Sequence, residues 1–209
     1  MARYTGPACR VCRREGVKLF LKGERCFMAK CPMEDSPTPP GMHGATKKRK
    51  VSDYGKQLSE KQRLRKSYGL QETPFRLLFK RASKKHGVTG EILLQMLEMR
   101  LDNLVYRLGF APSRRAARQF VRHNHVLVNG GRADIPSMVL KAGDSVSVKS
   151  DAGSRDYAKQ CVEKTVNREP VSWLSVDKDN LLGNVIRVPS RDEIAPTVNE
   201  QLIVELYSK

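Results

Sequence analysis

The sequence predicts a mixed α+β fold, with an N-terminal cysteine knuckle and basic helical body, and a small domain in which a helix pair is backed by an antiparallel sheet. Three observations carry that expectation. Four of the five cysteines of the 209-residue chain fall between Cys9 and Cys31. Leucines recur at helical spacing from Leu93 to Leu108, and short alternating apolar runs broken by turn residues come after them. Between these two regions lies a stretch so rich in Lys and Arg that it carries little apolar surface of its own.

Charge narrows the function classes. The formal net charge is +17 and the isoelectric point about 10.0. Residues 1–40 contribute +4, 41–86 contribute +11, 87–150 contribute +4 and 151–209 contribute −2. A surface of this kind wants a polyanion, and a basic protein without membrane features points to nucleic acid. No apolar run approaches the ~18 residues of a spanning helix, and "MARYTG" has neither an apolar signal core nor a small-residue cleavage site. A cytoplasmic protein with no membrane partner is expected. At 39% hydrophobic and 6% aromatic residues, the composition supports one or two modest cores.

Two residues separate Cys9 from Cys12 and four separate Cys26 from Cys31, and the 13 residues between the pairs can fold back as a hairpin. Val17, Leu19 and Leu21 alternate with Lys18, Phe20 and Lys22, and "KGER" supplies a turn, a pattern for a short strand pair. Four thiolates could then converge on one tetrahedral zinc ion, making a zinc knuckle. An iron–sulfur cluster also takes four cysteines, and spacing does not decide between them. A reducing cytosol disfavours disulfides. A catalytic zinc is disfavoured, because such a site usually keeps an open position and uses His or carboxylate ligands. Metal would fix Arg10, Arg13, Arg14 and Lys18 for phosphate contact. Cys161 stands far off, as an ordinary buried or free thiol.

From Pro32 to Lys50, four prolines, two glycines and the cations Lys47, Lys48, Arg49 and Lys50 predict an extended arm lying along phosphates. Ser52–Gly69 and Thr73–Gly87 read as helices, the second with Pro74 just inside its start. Leu58, Leu64, Tyr68, Phe75, Leu78 and Phe79 give small apolar faces; Lys61, Arg65, Lys66, Arg76, Lys80, Arg81, Lys84 and Lys85 cover the rest and are candidate RNA contacts.

The leucine repeat predicts one helix from Glu91 to Gly109, and Ser113 can cap a second with Ala117 and Val121 facing inward. Arg114, Arg118 and Arg122 share a face of it, three like charges that want an anion. Arg115, His125 and Asn129 stand at its edge. "HVLVNGGRADIPSMVLKAGDSVSVK" gives short strands, a turn at "NGG" and a closing strand Ser145–Lys149. In residues 151–209 a helix precedes strands and turns, with Trp173 in a core or interface. The expected organisation is residues 1–50 as knuckle and arm, 51–90 packed with 151–209 as a body, and 91–150 as the helix-pair and sheet domain.

"RLDNLVYRLGFAPSRRAARQFVRHNHVLVNG" with "IPSMVLKAGD" closely resembles the RNA-binding domain named after bacterial small-subunit ribosomal protein S-four. The resemblance continues in "MARYTGPACRVCRREGVKLFLKGERC", similar to that family's four-cysteine N-terminus, and in "PPGMHG", "SDYGKQLSEKQRLRKSYGL" and "QLIVELYSK". It implies a ribosomal protein that binds 16S ribosomal RNA at a junction in its 5′ domain, nucleates 30S assembly and contributes to translational accuracy. It further implies a contact with neighbouring protein S-five through Arg187, Arg191, Asp192 and Glu193, and proximity to messenger RNA at its entry path. Many members of the family lack the cysteines, so its RNA function does not require metal. The alternative is an RNA-modifying enzyme or a regulator carrying the same domain. A phosphate-binding glycine loop and a dinucleotide fingerprint are both missing from the sequence, so a non-enzyme is expected. A zinc-ribbon DNA-binding regulator is the remaining competitor.

Overall fold

The computed structural model describes residues 3–46, 50–165, 171–194 and 198–208. Lys47, Lys48 and Arg49 lie outside the described residues, as does the end of the Arg187–Pro196 stretch. The chain divides into two compact units, Met1–Leu93 with Ala195–Lys209, and Leu94–Ile194.

In the first unit, α1 (Ala8–Glu15) ends at Gly16, whose φ of 72° is open to glycine without strain and whose N–H bonds to the Cys12 carbonyl at 2.9 Å. The strand pair expected after it does not form. Leu19 and Leu21 are buried with Ala8, Val11 and Cys12, but no second strand pairs with them. Phe20 interrupts the extended run at φ 51° and its ring meets Phe27, tilted, at 5.1 Å, and a 3-10 turn follows at Gly23–Cys26. The Pro32–Lys50 arm is likewise not simply extended. It opens with one turn, α2 (Pro32–Asp35), and Arg13 ties it down by donating to the Thr38 carbonyl at 2.7 Å.

The next helix, α3 (Asp53–Ser67), starts where Ser52 accepts a bond from Gly55 N–H at 3.2 Å. Following it, α4 (Glu72–Ala82) stops short of the expected Gly87, because residues 83–87 are all exposed and have nothing apolar to bury. The C-terminal α9 (Glu200–Tyr207) packs on α3, with Gln57 donating to Glu205 at 2.9 Å and Ile203 fully buried. Tyr207 stacks on Phe79 at 4.6 Å and meets Phe75 at 6.3 Å.

The expected single leucine helix is two, α5 (Thr89–Glu98) and α6 (Leu101–Arg107). The break falls at Arg100, in extended conformation, because backbone groups on both sides find partners elsewhere. Leu101 N–H donates to the Met138 carbonyl at 2.8 Å, Asp102 N–H to Pro136 at 3.1 Å, and Leu140 N–H to Met99 at 2.9 Å. Such bonds replace the helical ladder one for one, so the interruption costs little. Helix α7 (Arg114–Arg122) is capped by Ser113, which accepts from Ala116 N–H at 3.3 Å.

The second unit's sheet comprises β1 (Val126–Val128), β2 (Gly131–Arg132), β3 (Ser145–Val148), β4 (Leu174–Asp177) and β5 (Leu182–Val185), ordered β2-β1-β3-β5-β4 with antiparallel neighbours. Asn129 at φ 50° and Gly130 at φ 78° make the two-residue turn between β1 and β2, where both residues must be left-handed. β5 pairs with β3 and β4 with β5, and residues through Ile194 belong to the second unit. Of the expected 151–209 contribution to the helical body, it is α9 that packs on α3. Helix α8 (Ala152–Lys164) contributes Ala158 to the same core as Leu101, Leu104, Val105, Phe110, Val121, Val146 and Trp173. Trp173 is 1% exposed, a core residue.

Candidate nucleic-acid interface

The structure divides the basic residues into those held by internal acids and those presented to solvent. In the first unit Lys61, 6% exposed, donates to Glu72 at 2.8 Å, and Arg65 approaches the same carboxylate at 3.5 Å. Burial opposes ionisation of Glu72, but hydrogen bonds from Lys61 and Tyr207 and the charges of Lys61 and Arg65 outweigh it, holding the carboxyl below its usual range. Lys66 pairs with Glu15, and Lys18 with Glu34. Four predicted RNA contacts, Lys61, Arg65, Lys66 and Lys18, are therefore committed to the fold's own carboxylates. In contrast, Arg10, Arg14, Lys50, Arg76, Lys80, Arg81, Lys84 and Lys85 are exposed. On α4 the buried side is Phe75, Leu78, Phe79 and Ala82, which turns Arg76, Lys80 and Arg81 outward along one helix, with Lys84 just past its end.

The α7 arginines split in the same way. Arg114 donates to Asn103 Oδ1 at 2.7 Å and lies over the Tyr106 ring at 4.6 Å. Arg118 reaches Asp102 at 3.4 Å, a carboxylate that already holds Arg100 through two bonds of 3.0 and 2.7 Å. Only Arg122 of the three is exposed, while Arg115 is half-buried. The row is thus partly compensated by Asp102 on the preceding helix, which spacing within α7 could not reveal. Asn103, 1% exposed, also donates to Glu98 at 2.6 Å, and Glu98 accepts two bonds from Arg107 at 3.0 and 2.7 Å. A chain of contacts so runs from buried Glu98 through Asn103 to Arg114, fixing that guanidinium from behind.

Two edge residues serve the fold. Asn129 donates to Asp144 at 2.9 Å and accepts from Ser145 N–H at 2.8 Å, pinning the hairpin to β3. Hydrogen bonds from Asn129 and from Lys141 N–H hold the Asp144 carboxyl below its usual range. His125 Nδ1 lies 2.7 Å from Ser154 Oγ, and its ring stacks on Phe120 at 4.9 Å.

In the loop after β5, Arg187 grips Glu193 with both terminal nitrogens, one bond at 2.6 Å, and Ser190 N–H donates to the same carboxylate at 2.9 Å. With Ser172 also donating, these bonds, led by Arg187, push the Glu193 carboxyl far below its usual range. Arg191 donates to the Ile194 carbonyl at 3.2 Å, and Asp192 is exposed. This is a braced loop.

In the knuckle Cys12, Cys26 and Cys31 are buried and Cys9 half-buried. Lys22 N–H donates to Cys26 Sγ at 3.4 Å. Burial pushes the Cys12 and Cys26 thiols up, partly offset by backbone hydrogen bonds, from Leu19 to Cys12 and from Lys22 and Leu21 to Cys26. The charges of Cys26, Cys9 and Cys31 act on Cys12 in the same upward direction. Among the described residues no group of three or more His, Cys, Asp or Glu side chains is arranged to hold a metal ion.

Known proteins were compared with the whole chain. Residues 3–98 match the family described as "Ribosomal protein S4/S9 N-terminal domain", and residues 99–146 match the "S4 domain". Small ribosomal subunit protein uS4 of Thermus thermophilus is 53% identical over 209 residues, covering 100% of both chains. Small ribosomal subunit protein uS4A of Symbiobacterium thermophilum and uS4 of Acidithiobacillus ferrooxidans are each 54% identical over the same full span. The solvent-facing cations, the helix pair over an antiparallel sheet and this end-to-end likeness agree: the chain belongs to the uS4 family, structural proteins of the small ribosomal subunit and not enzymes.

Proposed function

We propose that the protein binds 16S ribosomal RNA at a 5′ domain junction, early in small-subunit assembly, and stays in the cytoplasmic ribosome as a structural component. The observation that carries this reading is the sorting of cations. Arg76, Lys80, Arg81 and Lys84 stand exposed along α4 while neighbouring Lys61, Arg65 and Lys66 are neutralised internally. A folded RNA junction offers phosphates at fixed positions, and a rigid helix with solvent-facing cations matches such an array without reading bases. Arg122, and Arg114 and Arg118 held from behind, would extend the contact across α7.

Two finer readings accompany it. Cys9, Cys12, Cys26 and Cys31 would hold one structural zinc; support comes from an all-sulfur donor set with three of its four members buried, and from backbone N–H groups directed at Cys12 and Cys26, the second-sphere bonds thiolates need. Zinc bound there would deprotonate the thiols and fix the orientation of α1 with Arg10 and Arg14. The braced Arg187–Glu193 loop, with Arg191 and Asp192, would meet neighbouring protein S-five, and the body would lie near the messenger entry path, with an influence on accuracy.

The test is sedimentation of tagged protein expressed in bacterial cells. Co-migration with small subunits at near one copy each is expected, and a purely free pool would overturn the proposal.

A further inference from the structure

Between α7 and α8, the second unit has an open cavity of about 320 Å³ lined by Ala116, Gln119, Phe120, His123, His125, Gly153, Ser154 and Tyr157. Its volume falls at the small end of ligand-sized sites, enough for a heteroaromatic ring. The lining is unusually aromatic for a chain with 6% aromatic residues. Phe120 stacks on His125 at 4.9 Å and meets Tyr157 at 5.4 Å, and His123 lies 6.1 Å from His125. Phe120 is buried as a floor, whereas Tyr157 is 40% exposed at the side.

The polar groups are built in. Ser154, 2% exposed, donates to Asp151 Oδ2 at 3.1 Å and stands 2.7 Å from His125 Nδ1. A hydroxyl has one hydrogen, so with Asp151 accepting it, the Ser154 oxygen accepts from His125 Nδ1–H; the neutral ring then keeps Nε2 as an acceptor. The Gln119 amide supplies both a donor and an acceptor to the same lining. The surroundings are cationic. Exposed Arg122 and half-buried Arg115 sit on the same helix, and exposed Lys149 bonds by its backbone N–H to the His125 carbonyl at 2.9 Å. Of the acids nearby, Asp151 is engaged by Ser154 and Asp156 is exposed.

We propose that this cavity between α7 and the first turns of α8 seats one unstacked nucleobase of the bound RNA, stacked against Tyr157 and the histidines, with the adjoining phosphates on Arg122 and Lys149. The proposal rests on the RNA-binding reading above and adds to it a base contact among contacts otherwise made to phosphate. Single-stranded bases flipped from RNA junctions are held in this manner, by aromatic faces with polar groups at the rim.

Gly153 provides a plug. A Cβ there meets nothing closer than Asp151 Oδ2 at 3.9 Å, so this lining position admits a larger side chain without a backbone clash. The measurement is the affinity of the full chain for a transcript of the small-subunit rRNA 5′ domain across a salt series. Gly153→Leu and Tyr157→Ala are expected to weaken binding roughly 5- to 150-fold, the range for loss of one stacked base, while leaving the salt slope unchanged. Gly153→Ala and Tyr157→Phe are expected to bind as the parent does, and circular dichroism melts identify any variant that has merely lost its fold. Ultraviolet crosslinking of the parent complex should join a base to a peptide containing Tyr157 or His123. Parental affinity in both Gly153→Leu and Tyr157→Ala would overturn the proposal while leaving the RNA reading intact; failure of the parent itself to bind rRNA would overturn both. A plugged variant that binds RNA normally but is depleted from small subunits would assign the cavity to a protein side chain, and that also overturns it.

Discussion

Replacing Arg76, Lys80, Arg81 and Lys84 together with alanine removes four exposed cations that have no acidic partner among the described residues. The side of α4 that packs, Phe75, Leu78, Phe79 and Ala82, is untouched, and alanine is the better helix former, so the fold should persist. Each cation bound to a phosphate contributes about 0.7 to 0.9 to the slope of log affinity against log salt, so removing all four should flatten it by about three units. Over a rise from roughly 50 to 200 mM salt the parent should then lose about 60-fold more affinity than the variant. The assay is fluorescence anisotropy with the 5′ domain transcript in a potassium chloride series, with circular dichroism to verify the helix. Lys61→Met is the internal contrast. It breaks a pair in which Lys61 is buried but Glu72 is half exposed, and should cost about 1 to 2 kcal/mol of stability with the slope unchanged. A quadruple variant that is folded and keeps the parental slope within about half a unit would refute the assignment of α4 to phosphate.

Elemental analysis should find one zinc per chain, and Cys26→Ser should lose it and unfold the knuckle, since structural zinc contributes on the order of 10 kcal/mol to such modules; no metal, or iron with sulfide, would reject zinc. Glu72 titrates below its ordinary 4.5, so its stabilisation is complete above that value and lost as pH falls through the folded-state value. Glu72→Gln should therefore flatten the decline of Tm between about pH 5 and 3, and an unchanged acid limb would count against the Lys61–Glu72–Tyr207 cluster. A Cβ on Gly183 would overlap the Leu108 side chain, so Gly183→Ala should destabilise the second unit by about 1 to 3 kcal/mol in urea denaturation. Arg187→Ala with Glu193→Ala should change decoding error in a misreading reporter with little effect on affinity for isolated rRNA; unchanged misreading would argue against a protein contact at this loop.

The local signals in the sequence were strong where the chain states them in a few residues. Ser113 caps α7, and the "NGG" step makes the β1–β2 turn. What could not be seen in sequence depended on distant partners. The leucine period runs unbroken through Arg100, yet the helix breaks there because residues 136–140 offer bonds to Met99, Leu101 and Asp102. Cations on α3 and α7 look alike in sequence, but Lys61 and Arg118 meet Glu72 and Asp102, 11 and 16 positions away, beyond the i, i+4 window in which helical pairs are read. The cavity at Phe120, His125 and Tyr157 brings together a helix end, the residue before a strand and a later helix, none of which carries a motif on its own.

Placing β3 between β1 and β5 has a consequence for how the chain is made. Residues 99–148, carrying the arginine helix and the first three strands, are synthesised before Leu182–Val185. Until then β3 presents an open edge, and the core lacks Trp173 and Leu181. A chain truncated near residue 150 and released would hold its basic helix pair over an unfinished, adhesive sheet. Completion of this unit is thus timed by translation of its last forty or so residues, and truncated products should enter aggregates instead of assembling particles.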